Sequence, residues 1–362
     1  MKVKILKKVF LCLSVFFLGA DVMYSQTLQR YISHPDSMFY RSSEALRIGD
    51  QIVLWQRETG GWPKNTDMVA PMSDSLKNEV VGQKMRRNDS TTDNGATYQQ
   101  LFFLAHLYRN THEARFRLSF LKGVDYLLEG QYANGGWPQF WPERRGYQWH
   151  ITYNDDAMVN TLCLIRDISN GKEPFDGNLT DKKLRKRLKK AFDKGIECIL
   201  ATQIVADGKP TVWCQQHDHE TLLPAPARAY ELPSYCPIES AMIIKLLMEI
   251  PHPDDKVKRS VTGAMEWLDR HKLQGIRVEQ YRNSEGQRDV RVVPDETAPA
   301  VWARFYDLEH VKPFFCDRDG VPKAELSQIG YERRTGYSWY NARPAQLFPI
   351  FEKWKKLNGV VL

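Results

Sequence analysis

Acidic and amide residues gather where apolar-periodic segments begin: Thr92-Asp93-Asn94-Gly95-Ala96-Thr97, Tyr153-Asn154-Asp155-Asp156-Ala157-Met158, Pro237-Ile238-Glu239-Ser240 and Pro294-Asp295-Glu296-Thr297. One carboxylate at a helix start has an ordinary explanation. Asp and Asn accept hydrogen bonds from free backbone N–H groups and complement the helix dipole. The run Asn154-Asp155-Asp156 exceeds that need, because one carboxylate suffices to cap. Carboxylates from different helices, brought together at one end of a fold, suit a hard cation with oxygen ligands such as calcium. Zinc would require His or Cys, which these starts lack.

Two further concentrations carry chemistry. The first runs from Trp213 through His217, Asp218, His219 and Glu220 to Arg228 and Ser234, and is Pro-rich, polar and aromatic. Long loops of that kind in a folded chain usually bear function. His217 and His219 are candidate metal ligands, although an i, i+2 spacing alone specifies little. The second is C-terminal, where Arg304, Arg318, Arg333 and Arg334 lie among Trp302, Tyr306, Tyr331, Tyr337 and Trp339. A guanidinium fork suits a carboxylate and an aromatic ring suits a sugar face. Surface Arg stacked on Tyr is the ordinary alternative.

The elements that must position these groups come from an internal repeat. Gln56-Arg57-Glu58-Thr59-Gly60-Gly61-Trp62-Pro63 recurs seventy-five residues later as Gln131-Tyr132-Ala133-Asn134-Gly135-Gly136-Trp137-Pro138. A worn third copy spans Gln203 to Pro210. Each copy ends a predicted helix: 44–55, 116–128 and 184–202. Gly stops a helix with a left-handed turn and Pro prevents its continuation. A second helix follows each copy, over 93–108, 155–166 and 238–249. A fourth pair is expected at 257–271 and 296–308, with 348–356 closing the fold. Short strands are expected only near 276–281 and 289–293. Helix pairs that bury their faces on neighbours give an all-α toroid or an open solenoid. Trp62 and Trp137 occupy equivalent repeat positions, so packing explains them better than sugar stacking.

The chain has 362 residues, a net charge of +7 and 42% hydrophobic residues, enough for one substantial core and unlike a disordered chain. Ten tryptophans exceed ordinary core needs, and surplus Trp often lines sugar clefts. Four lysines precede an apolar run from Val9 to Ala20, which is a signal-peptide pattern too short for a membrane span. Removal of residues 1–25 takes away four Lys and one Asp and leaves +4. The segment Asp181–Lys194 alone holds eight basic and two acidic residues around an apolar stripe, the solvated face of an outer helix. Overall basicity is therefore no evidence for a nucleic-acid partner. After the signal, five cysteines remain, with no zinc pattern and with pairing of Cys214 and Cys236 left open.

Together these motifs resemble the family 10 polysaccharide lyases, pectate lyases with an (α/α)3 toroid. The parts that match are Gly60-Gly61-Trp62-Pro63-Lys64-Asn65, Thr92–Thr97, Gly135-Gly136-Trp137-Pro138-Gln139, Tyr153–Met158, Ala227-Arg228-Ala229-Tyr230-Glu231 with Pro233-Ser234, and Arg318-Asp319-Gly320. They cover roughly residues 40–356. The resemblance implies a single catalytic domain at 26–362 that cleaves polygalacturonate or pectin by calcium-assisted β-elimination. It would place Ca2+ on Asp93 and Asp155 and the catalytic base on Arg228. Substrate contacts would fall on Lys64, Asn94, Thr97, Arg304, Arg318 and Arg334. An ion pair of Arg228 with Glu231 or Asp218 is the simpler structural role. The expected protein is a secreted or periplasmic monomer without a membrane span. A terpene-cyclase toroid is disfavoured by the Arg-rich end and the signal. A toroidal glycoside hydrolase or a non-catalytic pectin-binding surface protein are the alternatives.

Overall fold

Outer helices of this chain carry one buried apolar stripe and inner helices are buried over more of their surface, and that difference sorts them into two layers. The computed structural model describes residues 28–33 and 35–360; the predicted signal segment at 1–25 lies outside the described residues. The helices are α1 (Ser43–Trp55), α2 (Asp74–Gly82), α3 (Tyr98–Thr111), α4 (Ala114–Gly130), α5 (Ala157–Ser169), α6 (Lys182–Thr202), α7 (Pro237–Met248), α8 (Asp255–Arg270), α9 (Tyr331–Thr335) and α10 (Leu347–Asn358). In α7 only Met242 and Lys245 escape full burial, as an enclosed helix requires. In α6 the buried side is Leu188, Ala191, Gly195, Ile196, Cys198, Ile199 and Thr202, and the basic residues face out. Inner helix α3 packs on α5 and α5 on α7, while outer helices α4, α6 and α8 back α3, α5 and α7. The architecture is an (α/α)3 toroid. No helix among the described residues is long and apolar enough to cross a membrane.

The repeated Gln, Gly and Trp each have a physical task. The Gln56 amide donates to Gly60 O and to Ser119 O, at 2.8 and 2.9 Å, and so ties the end of α1 to α4. Gln131 does the same to Gly135 O and Ala191 O on α6, and Gln203 to Thr211 O and Ser260 O on α8. Gly60 and Gly135 adopt φ +96° and +95°, and a Cβ there would sit 2.4 Å from Lys122 O and 2.0 Å from Lys194 O. The indole N–H groups of Trp62, Trp137, Trp213 and Trp302 donate to Ile52 O, Leu127 O, Ile199 O and Leu268 O at 2.7–2.9 Å. Each donates into the last turn of an outer helix, where carbonyls run short of helical partners; Ile52 O also accepts from Gln56 N and Ile199 O from Thr202 Oγ1. Four of the ten tryptophans are therefore buried helix closures, which accounts for part of the surplus without any sugar contact.

The structure extends the repeat beyond what its letters show. In the third copy the Gln remains, but a hairpin of Val205–Ala206 and Lys209–Pro210 displaces the tryptophan to Trp213. The expected helix at 296–308 does not form. Pro299, in its first turn, lacks a backbone donor and turns Ala298 away from helical geometry, and Trp302–Ala303 pairs instead with Tyr340–Asn341. Asp295 correspondingly starts no inner helix. Its carboxylate turns the chain through Thr297 and meets Arg277 at 3.0 Å. The expected strands exist as one hairpin, Ile276–Arg282 with Arg288–Pro294, and α10 closes the fold against α7. All five described cysteines are free, Cys214 and Cys236 included.

Trp213→Phe should destabilise the protein by about 1–3 kcal/mol, combining the loss of the shorter of two bonds to the buried Ile199 carbonyl, which keeps only Thr202 Oγ1, and a small cavity. A shift of the urea midpoint at unchanged slope would report it; an unchanged midpoint would remove this role from the indole.

Candidate functional site

Capping differs between most outer helices and the inner ones, with outer α4 the exception in lacking a side-chain cap. Outer helices α1, α6 and α8 are capped by the side chains of Ser42, Asp181 and Asp254, which accept from Ala45 N, Leu184 N and Val257 N. Inner helices α3, α5 and α7 have no side-chain cap. The acidic residues at the inner starts are therefore not spent on capping. Each of the first two starts is preceded by a short turn, Asp93–Gly95 and Asn154–Asp156, and these two turns pack on each other. Asn94, Asp155 and Asp156 lie in the left-handed region at φ 48°, 50° and 59°. Asn and Asp tolerate that conformation better than other side chains. Thr97, at φ 67°, does so as a β-branched residue. It is held by a 2.8 Å bond from its hydroxyl to Thr91 O and by Trp62 N.

Asp93 is buried and fully engaged. Its Oδ2 accepts from Lys64 Nζ at 2.5 Å and from Gln139 Nε2 at 2.7 Å, and its Oδ1 from Asn94 N at 3.0 Å. Gln139, the residue after the second Gly-Gly-Trp-Pro turn, leaves its Oε1 buried without a partner. Asp155 keeps solvent access and accepts from Asn154 Nδ2 at 2.8 Å. Crowding by the surrounding protein, and then the Asp93 charge, pushes its carboxyl up to about 6, against the pull of Arg304 and Arg228. Asp156 is paired with both terminal nitrogens of Arg343. No third imidazole, thiol or carboxylate joins Asp93 and Asp155 at ligand distance among the described residues. The donors present fit a hard cation nonetheless. They are oxygens, two of them mutually repelling carboxylates, with an orphaned amide oxygen beside them.

The arginines take different places. Arg228 donates from Nε and Nη2 to Glu231 at 2.8 and 2.5 Å, and Tyr337 O–H donates to the same carboxylate at 2.8 Å. Glu231 is 1% exposed and the Arg228 side chain is 45% exposed. Burial works against the Arg228 charge, but Glu231 more than offsets it and raises the guanidinium above its ordinary value. Of the two simpler partners expected, Glu231 is the one found. Arg304 is buried, donates to Glu239 at 2.6 Å and Asn154 at 3.2 Å, and lies over the Tyr337 ring at 4.5 Å. Glu239, from the first turn of α7, is thereby drawn to the same end as Asp155.

The acidic turns, Lys64, Asn94, Arg228 and Arg304 thus share one end of the toroid. Thr97 is buried with its hydroxyl committed to the backbone. Arg318 is exposed and paired with Glu332. Arg334 clamps Asp289 of the hairpin through two bonds of 2.7–2.8 Å. The C-terminal aromatics are largely a second core, in which Tyr230, Phe305, Phe314, Phe315 and Trp339 pack together. The sequence put none of Gln139, Glu231, Glu239 and Tyr337 among the catalytic, metal or substrate residues, although Glu231 was expected to pair with Arg228 and Glu239 and Tyr337 stood in the acidic and aromatic clusters. Gln139 had a signal, since it directly follows a repeated motif.

His217 is not a free ligand. Its Nε2 accepts from Cys214 N at 3.1 Å and its Nδ1 lies 2.9 Å from Leu222 O. His219 instead groups with His150 and Asp218, one ligand atom from each lying within 4.8 Å of the others.

Arg304→Met should cost about 3–5 kcal/mol, because Glu239 would keep a buried charge without its partner. The double variant R304M/E239Q should recover part of the loss in denaturant unfolding; no recovery would mean that the pair is not what holds this region.

Comparison with known proteins agrees with the geometry. The family model described as pectic acid lyase matches residues 56–348. A family 10 polysaccharide lyase from Cellvibrio cellulosa superimposes with a TM-score of 0.77 at 31% identity, over 93% of this chain and 98% of that one. A point mutant of the Cellvibrio cellulosa family 10 lyase, in complex with trigalacturonic acid, gives 0.77 at 30% identity over 93% and 99%. No curated protein matches the chain. A toroid with unspent carboxylates and a paired arginine at one end, matched over nearly its whole length, belongs to the pectic acid lyase family and is a polysaccharide lyase.

Proposed function

We propose that this protein is an exported monomeric pectate lyase that cleaves polygalacturonate by β-elimination, with Arg228 as the base and calcium held by Asp93 and Asp155. The observation that carries the reading is the fork of Arg228. Glu231 takes the N–H groups of Nε and Nη2, and among the described residues no hydrogen bond engages Nη1. A guanidine that gives up a proton from Nη1 keeps both bonds to Glu231, so the pairing orients the base without consuming its basic nitrogen. Tyr337 donates to Glu231 and drains part of the negative charge that holds Arg228 protonated.

Calcium, when bound, would supply positive charge beside the substrate carboxylate and make the adjacent C5 proton more acidic. Lys64 and Arg304 add fixed positive charge at the same end. Arg228 then takes the C5 proton, the C4–oxygen bond breaks, and a 4,5-unsaturated chain end forms without consuming water. Asn94, bonded to Asn65 at 3.1 Å, lines a crevice with Lys64 and is placed to orient the sugar. Arg318 and Arg334 remain candidates for more distant sugar units, and Thr97 supports the turn from within. Residues 1–25 would direct export and be removed.

The test is polygalacturonate with calcium, with and without chelator, followed in the ultraviolet. Elimination creates a conjugated double bond that absorbs there, and the signal should vanish with chelator. New reducing ends without absorbance would mean hydrolysis, and binding without either product would mean a pectin-binding protein.

A further inference from the structure

We propose that His150, Asp218 and His219 form a second metal site, distinct from the Asp93–Asp155 cleft, that takes a borderline divalent cation of the zinc type. The sheet register brings the first two together. Ile151 pairs with His217 and Thr152 with Gln216 in an antiparallel ladder, so His150 stands opposite Asp218. Their closest atoms, Nδ1 and Oδ2, are 3.8 Å apart, too far for a hydrogen bond. His219 follows at once, with its backbone oxygen held by Asn134 Nδ2 at 2.7 Å.

The donor atoms are prepared and unused. Nδ1 of His150 and Nδ1 of His219 are both buried without a hydrogen-bond partner. A buried imidazole nitrogen left bare is costly unless something meets it. Asp218 is fixed through Oδ1, which accepts from Glu220 N, Thr221 N and Thr221 Oγ1 at 2.8–3.1 Å. Its Oδ2 is left facing His150. The Glu220 carboxylate lies 3.9 Å from His219 Nε2, on the side away from the bare Nδ1. Tyr132 and Trp149 pack at 5.2 and 5.7 Å from the His219 ring and shield it.

The chemistry selects the ion. Two imidazoles and one carboxylate suit zinc, with water in the open fourth position, whereas calcium takes oxygen ligands. Ligand atoms about 2.0–2.1 Å from one zinc ion lie about 3.3 Å apart, so three groups now within 4.8 Å of one another must close by up to about 1.5 Å on binding. Bound there, the ion would fasten the 218–222 turn to the strand that leads into Asn154 and Asp155.

Chelator-treated protein titrated calorimetrically with Zn2+ should bind one ion per chain, and excess Ca2+ should not displace it. His150→Gln and His219→Gln should each weaken binding at least tenfold, while Asp93→Asn should leave it unchanged. Should either His variant misfold, Co2+ bound to the wild-type chain should show the visible absorption of an imidazole-ligated ion. Absence of saturable Zn2+ binding, wild-type affinity in both His variants, loss of binding in Asp93→Asn, or Co2+ without that absorption would each overturn the proposal. None of these readouts depends on lyase activity.

Discussion

Replacing Arg228 by alanine should lower turnover on polygalacturonate by about 10²- to 10⁴-fold, the usual range for a positioned base. The variant leaves Glu231, buried at 1% exposure, without its partner, so circular dichroism and calcium binding must be checked alongside. R228K is the sharper comparison. It keeps a positive charge for Glu231 but removes the planar fork and its spare nitrogen. If Arg228 acts only as a charge, R228K should work nearly as well as wild type, and that result would remove it as the base. If it is the base, R228K should fall close to R228A. The direction of the Arg228 shift also fixes the pH profile. Glu231 holds the guanidinium protonated, so the reactive neutral form grows as pH rises and activity should climb into the alkaline range. A rate that peaked at acidic pH would require another base.

The second large effect concerns calcium. Asp155→Asn should raise the calcium concentration needed for half-maximal activity by tenfold or more, since a hard cation loses a charged ligand. Wild type should show a matching pH dependence. Crowding by the surrounding protein, and then repulsion from Asp93, pushes the Asp155 carboxyl from its ordinary 3.8 up to about 6. In the metal-free protein this group is protonated below that value, so calcium must displace a proton there. The calcium requirement should rise as pH falls through 6, approaching about tenfold per unit well below it. In D155N that rise should disappear. The sign for stability is opposite to that of a salt-bridged carboxylate. A raised folded-state value means that, without calcium, ionising Asp155 disfavours the fold increasingly as pH rises from about 4 to 6, and added calcium should reverse this. A wild-type calcium requirement that does not change between pH 5 and 7 would take Asp155 out of the metal site.

How far the sequence can be read depends on the range of each interaction. The helix ends at Trp55, Gly130 and Thr202 were visible because Gly-Gly-Trp-Pro acts on its own neighbours, through a left-handed turn and a missing donor. The fourth unit was misread over 296–308 because apolar spacing suggested a helix, while Pro299 and a distant strand at Tyr340–Asn341 opposed it. Trp213 and Trp302 were not recognised as repeat members because their partners, Ile199 and Leu268, lie 14 and 34 residues back. The inner starts were recognised as unusual from composition alone, but local preference argued for capping. Only the fold shows the caps absent and two of the turns packed together.

By itself the sequence determined the repeat, the all-helical layers, the acidic turns and the motif that carries Arg228, because these depend on contacts between near neighbours. The tertiary structure decided which charges are free. Arg334 is braced by Asp289, 45 residues away, and Arg304 by Glu239, 65 residues away. His217 is closed by two backbone groups, while its neighbour His219 meets His150 through a strand register. Whether a side chain is a ligand, a base or a brace depends on which partner reaches it first across the fold, and residue type and local spacing carry no record of that.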